Sequence, residues 1–135
     1  VKRVDVAVGV IIRERQIYIT KRADDLHQGG KWEFPGGKKE ADETIAEALV
    51  RELLEEIGIE VQEQSELLVI EHDYGDKKVC LDVRLVTSFD NEPHGAEGQQ
   101  GQWVSIENLL SYDFPEANTA IIDALFKRYD VKLSN

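Results

Sequence analysis

Glu52, Glu55 and Glu56 lie within about one turn of each other on a segment whose periodicity predicts a helix, and their oxygens suit a hard divalent cation. From Glu43 to Ile57 the chain has neither proline nor glycine. Ala46, Leu49, Val50, Leu53 and Ile57 recur there at the three-and-four spacing of a buried stripe. At about 100° per residue the three acids share one face beside that stripe. The arrangement works against the helix itself. Glu52 and Glu56 are like charges one turn apart, and Glu55 and Glu56 sit at the C-terminal end, where the macrodipole disfavours anions; each conflict costs roughly 0.3–1 kcal/mol. A solvated acidic face is the ordinary reading of such a run, and Arg51, one turn from both Glu47 and Glu55, fits ordinary ion pairing. Taken together, the three acids beside a Gly36-Gly37 turn fit metal chemistry better, and oxygen donors select magnesium or manganese over zinc.

The same residues carry a family resemblance. Gly37, Glu43, Arg51, Glu52, Glu55, Glu56 and Gly58, with Leu53 and Ile59 at the apolar positions, match the Nudix box without gap or substitution, so the chain resembles the Nudix hydrolases. Further segments resemble the MutT-type 8-oxo-dGTP diphosphatases of that family: Lys21-Arg22-Ala23-Asp24, Trp32 to Lys38, Glu97-Gly98-Gln99 with Trp103, and Asp113 to Asn118. Within the second strand pair, His72, Tyr74, Lys77 and Asp82 depart from that pattern.

The resemblance implies an enzyme that hydrolyses oxidised purine nucleoside triphosphates, chiefly 8-oxo-dGTP to 8-oxo-dGMP and pyrophosphate, and so protects replication from damaged precursors. It implies a Mg2+ ion, with Mn2+ as substitute, on the Gly37 carbonyl and on Glu52, Glu55, Glu56 and Glu97. Glu52, Glu56 and Glu97 are the implied catalytic residues, with Glu52 as general base. Glu43, Arg51 and Gly58 would support the box. Arg22, Phe34 and Asn118 are the implied substrate contacts. The Asn118 amide can donate to a purine O6 and accept from the N7 hydrogen that 8-oxoguanine has and guanine lacks. Each of these has a plainer alternative: a helix N-cap for Asn118, a core aromatic for Phe34, a strand-end charge for Arg22, and a loop acid for Glu97. Two competing functions stay open, a pyrophosphohydrolase of CTP, dCTP or other nucleotides, and a non-catalytic nucleotide sensor.

Several elements must position these groups. Asp42 or Thr44 can cap the start of the acidic helix, and Gly58 can end it in a left-handed cap. Val4 to Ile12 and Gln16 to Lys21 read as a hairpin around Arg13-Glu14-Arg15, followed by a loop from Asp24 to Lys31. Val61 to Tyr74 and Lys77 to Thr87 read as longer strands joined near Gly75-Asp76, and Gln102 to Val104 as a short one. Ile106 to Leu110 reads as a short helix and Ala117 to Tyr129 as a longer one, with Ile121, Leu125 and Tyr129 on one face. The expected class is α/β. The resemblance makes it a Nudix-type α/β/α sandwich with a mixed sheet and a loop-helix-loop box, formed by residues 1–135 as one domain.

Composition sets outer bounds. A net charge of -11 argues against a nucleic-acid polymer as partner, while leaving room for a small nucleotide whose phosphates a metal neutralises. The apolar run Val6 to Ile12 is too short to span a membrane, and neither an export signal nor an anchor is expected. Cys80 is the only cysteine, which excludes an intrachain disulfide and suits a reducing cytoplasm. The expected state is a cytoplasmic monomer.

Overall fold

The computed structural model describes residues 2–22 and 29–132, so most of the loop expected from Asp24 to Lys31 lies outside the described residues. The first two strands, β1 (Lys2–Arg13) and β2 (Gln16–Lys21), form the expected hairpin. Its turn places Glu14 at φ 51° and Arg15 at φ 61°, the paired left-handed conformation that matches the twist of the strands it joins. Two short strands follow, β3 (Trp32–Glu33) and β4 (Gly36–Lys38), then helix α1 (Ile45–Ile57). The long antiparallel pair is β5 (Glu60–Asp73) and β6 (Lys77–Asp90), followed by β7 (Gly101–Ser105). Two 3-10 turns, Ile106–Ser111 and Glu116–Asn118, lead to helix α2 (Thr119–Arg128).

The strands form a mixed sheet in the order β3-β2-β1-β6-β5, with β4 added on β1 and β7 on β2. Among the described residues only β1 and β6 pair in parallel, from Lys2 opposite Lys77 to Ile11 opposite Val86. One edge of β1 is shared. Ile11 to Arg13 pair with β2, whereas Val6 to Val8 pair with β4, and Gly9 N–H reaches Pro35 O at 2.8 Å between them. That division turns Gly36 and Gly37 toward the end of α1.

Strand alternation sorts β1 into two cores. Ala7 and Ile11 join Leu49, Leu53 and Ile57 of α1 on one face, while Val8, Val10 and Ile12 join Ile121, Leu125 and Phe126 of α2 on the other. Helices therefore cover both faces, as the sandwich expectation requires. The buried stripe of α1 is narrower than its periodicity predicts. Ala48, Leu49, Leu53 and Ile57 are buried, but Val50 is 39% exposed, outside the contact that α1 makes with β1, β4 and β5. In α2 the helix begins two residues later than expected, since Glu116 to Asn118 take the tighter 3-10 path after Pro115.

Candidate functional site

Helix α1 presents its acids because both of its ends are fixed. Of the two candidate caps, Thr44 is used: its Oγ1 accepts from Glu47 N–H at 3.1 Å, and Glu47 Oε1 accepts from Thr44 N–H at 2.9 Å. This capping box occupies Glu47, so Glu47 does not pair with Arg51 as its spacing suggests. At the other end Gly58 adopts φ 73°, and its N–H bonds Leu54 O at 3.1 Å. A Cβ on Gly58 would run into the His94 ring, so the cap needs glycine for both conformation and space.

Arg51 organises the acids instead. Its guanidinium donates twice to Glu43, at 2.6 and 2.9 Å, once to Glu52 Oε1 at 2.9 Å, and once to Lys38 O at 3.1 Å. Glu55 Oε2 lies 3.5 Å from the same group. The paired guanidinium holds the Glu43 carboxyl at about 2, well below its ordinary value, helped by the Glu40 N–H. Reciprocally, these carboxylates raise the pKa of Arg51.

The three helix acids differ in setting. The Glu52 side chain is 18% exposed and packs against Gly37, where any Cβ would overlap its carboxylate. Glu56 is half-buried and its Oε2 accepts from Gly36 N–H at 2.8 Å. Glu55, 55% exposed, turns outward. Burial pushes the Glu56 carboxyl up to about 8; the Gly36 amide opposes the shift, and the charges of Glu52, Glu33 and Glu97 add to it. Among the described residues no three carboxylates already converge as a finished metal cage. Glu52 and Glu55 face Arg51, and Glu56 faces Gly36. The donor set nevertheless fits a hard divalent cation. It is all oxygen, it carries acid charge in excess of its one guanidinium, and Gly37 leaves the backbone open beside Glu52.

Glu97, remote in sequence, belongs to this neighbourhood. Its loop docks on the end of α1, where Ala96 N–H donates to Glu56 O and His94 N–H to Ile57 O, both at 3.0 Å. These bonds satisfy carbonyls that a helix end leaves unpaired. Glu97 itself is exposed, and its charge is felt at Glu56.

Arg22, Phe34 and Asn118 meet in one cleft of about 410 Å³, whose wall also includes Glu33, Gly36 and Gly37. Arg22 bonds Glu33 Oε1 at 3.0 Å. Phe34 is only 5% exposed and stacks on Phe114, with centroids 5.2 Å apart, so the core reading of this residue holds while its edge still lines the cleft. Asn118 does stand at the N-cap position of α2, yet its side chain makes no capping bond. Its Nδ2 donates to Pro115 O at a long 3.4 Å, and both residues line the cleft. The segment is anchored from β3, because Trp32 N–H donates to Asp113 O at 2.8 Å and Trp32 meets Tyr112 edge to face. Tyr74, 59% exposed, and His72 pack against each other with their rings tilted by 53°, and neither is among the residues lining this cleft. Glu33 escaped the sequence reading. Its signal was its place beside Phe34, but its link to Arg22 and Glu56 exists only through space.

The NUDIX domain family model matches residues 7–124. The chain is 45% identical over 125 residues to the 8-oxo-dGTP diphosphatase of Escherichia coli strain K12, covering 92% of this chain and 97% of that protein. It is 32% identical over 123 residues to the CTP pyrophosphohydrolase of the same organism, covering 91% of each. Its fold superposes with a TM-score of 0.87 on a MutT structure from work on Aliivibrio salmonicida and Vibrio cholerae, at 46% identity, covering 94% of this chain and 99% of that one. A contiguous box on a doubly capped helix, a mixed sheet between two helical layers and a family match across most of the length agree: this chain belongs to the Nudix hydrolase family.

Proposed function

We propose that this protein is a divalent-metal-dependent diphosphatase, formed by one catalytic domain, that prefers 8-oxo-dGTP and releases 8-oxo-dGMP and pyrophosphate. The observation that carries this reading is the single cleft that has Arg22, Phe34 and Asn118 in the same wall as Gly36 and Gly37. A base held by the first group would direct its phosphates toward the acids of α1. The 45% identity to an 8-oxo-dGTP diphosphatase over 92% of the chain supports the same substrate.

Gly37 O, Glu52, Glu55, Glu56 and Glu97 would hold Mg2+ or Mn2+, which when bound neutralises phosphate charge and acidifies water. Glu52 accepts the proton of the attacking water in this scheme, with Arg51 holding its carboxylate in place through the 2.9 Å bond. Asn118 selects the base. Its Nδ2 donates to O6 and its Oδ1 accepts the N7 hydrogen of the oxidised purine, whereas guanine would set an acceptor against that oxygen. We read the protein as a monomer of the cytoplasm, where the nucleotide pool lies, and the free, buried Cys80 suits that compartment.

A substrate panel with Mg2+ tests the proposal. The expected result is a kcat/KM for 8-oxo-dGTP well above those for dGTP, CTP and dCTP. Asn118→Ala should reduce the preference over dGTP by about 5- to 150-fold, the worth of one or two buried hydrogen bonds, without weakening metal binding. Equal turnover of 8-oxo-dGTP and dGTP would refute the preference, and a lead for CTP or dCTP would replace it. Binding without hydrolysis of any of these nucleotides would make the protein a sensor.

A further inference from the structure

Gln99 makes two side-chain bonds that no other residue of its loop duplicates. Its Oε1 accepts from Glu97 N–H at 2.9 Å, and its Nε2 donates to Glu56 O at 2.8 Å. One amide thus ties the backbone of Glu97 to the backbone of Glu56, two acids more than forty positions apart in the chain. The side chain is half-buried, in a loop whose acid is exposed. The loop is built to make this contact: a Cβ on Gly95 would strike Gln99 O, so the chain can fold back over itself only with glycine there.

We propose that Gln99 is a positioning residue that holds the Glu97 carboxylate within reach of the Glu56 side of the metal site. The inference rests on the reading of Glu97 as a metal-shell carboxylate. The rest of the loop contact explains why Gln99 matters. Ala96 N–H and Gln99 Nε2 share the Glu56 carbonyl, and His94 N–H holds Ile57 O, which fixes the loop up to residue 96. Beyond that point Gly98 N–H closes the turn on Gly95 O at 3.0 Å and Gly98 itself is exposed at φ 86°, but Glu97 has no backbone bond of its own to α1. Without Gln99 the loop would stay docked through His94 and Ala96, while the turn that carries Glu97 would lose its link to α1 and its carboxylate would be less closely held.

The test uses the full-length protein with Gln99→Ala and Gln99→Asn, the latter one methylene too short to span both partners. Both should lower kcat and Mn2+ affinity by roughly 10- to 100-fold, the usual effect of losing a partner that orients a ligand, with KM for the nucleotide nearly unchanged. Without any metal, hydrogen exchange should quicken at the Glu97 amide and stay slow at the His94 amide. In a Glu97→Gln background, Gln99→Ala should have no further effect on turnover, because it acts through Glu97. Unchanged exchange at Glu97, or losses that simply multiply in the double variant, would overturn the inference. Glu97→Gln with full turnover and Mn2+ affinity would overturn the reading of Glu97 beneath it. An impaired Glu97→Gln beside an intact Gln99→Ala would overturn the role of Gln99 alone.

Discussion

Arg51 holds opposed tasks in one planar group: it fixes Glu43, which keeps the loop before α1 in place, and it touches Glu52, the proposed base. Replacing Glu52 with Gln keeps a hydrogen-bond acceptor for Arg51 while removing the proton acceptor. Turnover of 8-oxo-dGTP by Glu52→Gln should fall by roughly 10²–10⁴, the range for a lost general base, and steady-state kinetics will read it. Glu43 contributes to the acid limit. Its carboxyl is held at about 2 in the folded protein, below its ordinary 4.5, so the folded state binds its proton less readily than the unfolded chain does. The stability it contributes is therefore full above about 4.5 and is lost as pH falls toward 2. In denaturant titrations the difference between wild type and Glu43→Gln should shrink over that window and vanish at its acid end. At this scale the box acids were legible because they repeat on a helix within one contiguous stretch. Glu33 was not, since its partners Arg22 and Glu56 lie on other elements. Asn118 could be named from its segment, but whether it caps the helix or faces the cleft depended on the 3-10 turn that precedes it.

Helix α1 is the element on which the rest of the site is hung. Gly58 ends it and also makes room for His94, whose backbone secures the Glu97 loop. Gly58→Ala should cost about 1–2 kcal/mol from the left-handed backbone alone, seen as a lower urea midpoint, and displacement of His94 should lower turnover as well. A stability loss with undiminished kcat would separate the cap from the loop. The boundaries of α1, the β1–β2 hairpin and the long β5–β6 pair were all readable, because each is specified by residues close in sequence. Strands β3 and β4 were not. They have two and three residues, and what makes them strands is pairing with β2 and β1 rather than any pattern of their own. The exposed Val50 shows the same limit, since periodicity gives a helix face but not the width of the surface that will cover it.

Across the whole molecule, the α/β class was readable from the pattern of elements and the sandwich only from the family resemblance, whereas the pairing order was not readable from the pattern at all. Nothing local to β1 or β6 records that they run side by side in parallel from Lys2 to Val86. That ladder links the start of the chain to its far half and carries the residues of both cores. A chain ending at Gly75 keeps α1 and the complete box but lacks β6. It should show no cooperative thermal transition by circular dichroism, and a sharp melt would contradict the central role given to this pairing. The order of synthesis gives the ladder another meaning. β1 is made well before its parallel neighbour, which is not complete until Val86 has been added, so a nascent chain carries the apolar stretch Val6 to Ile12 without its partner while every element between them is synthesised. The acids that would do the chemistry are made early, and the fold that aims them is closed late.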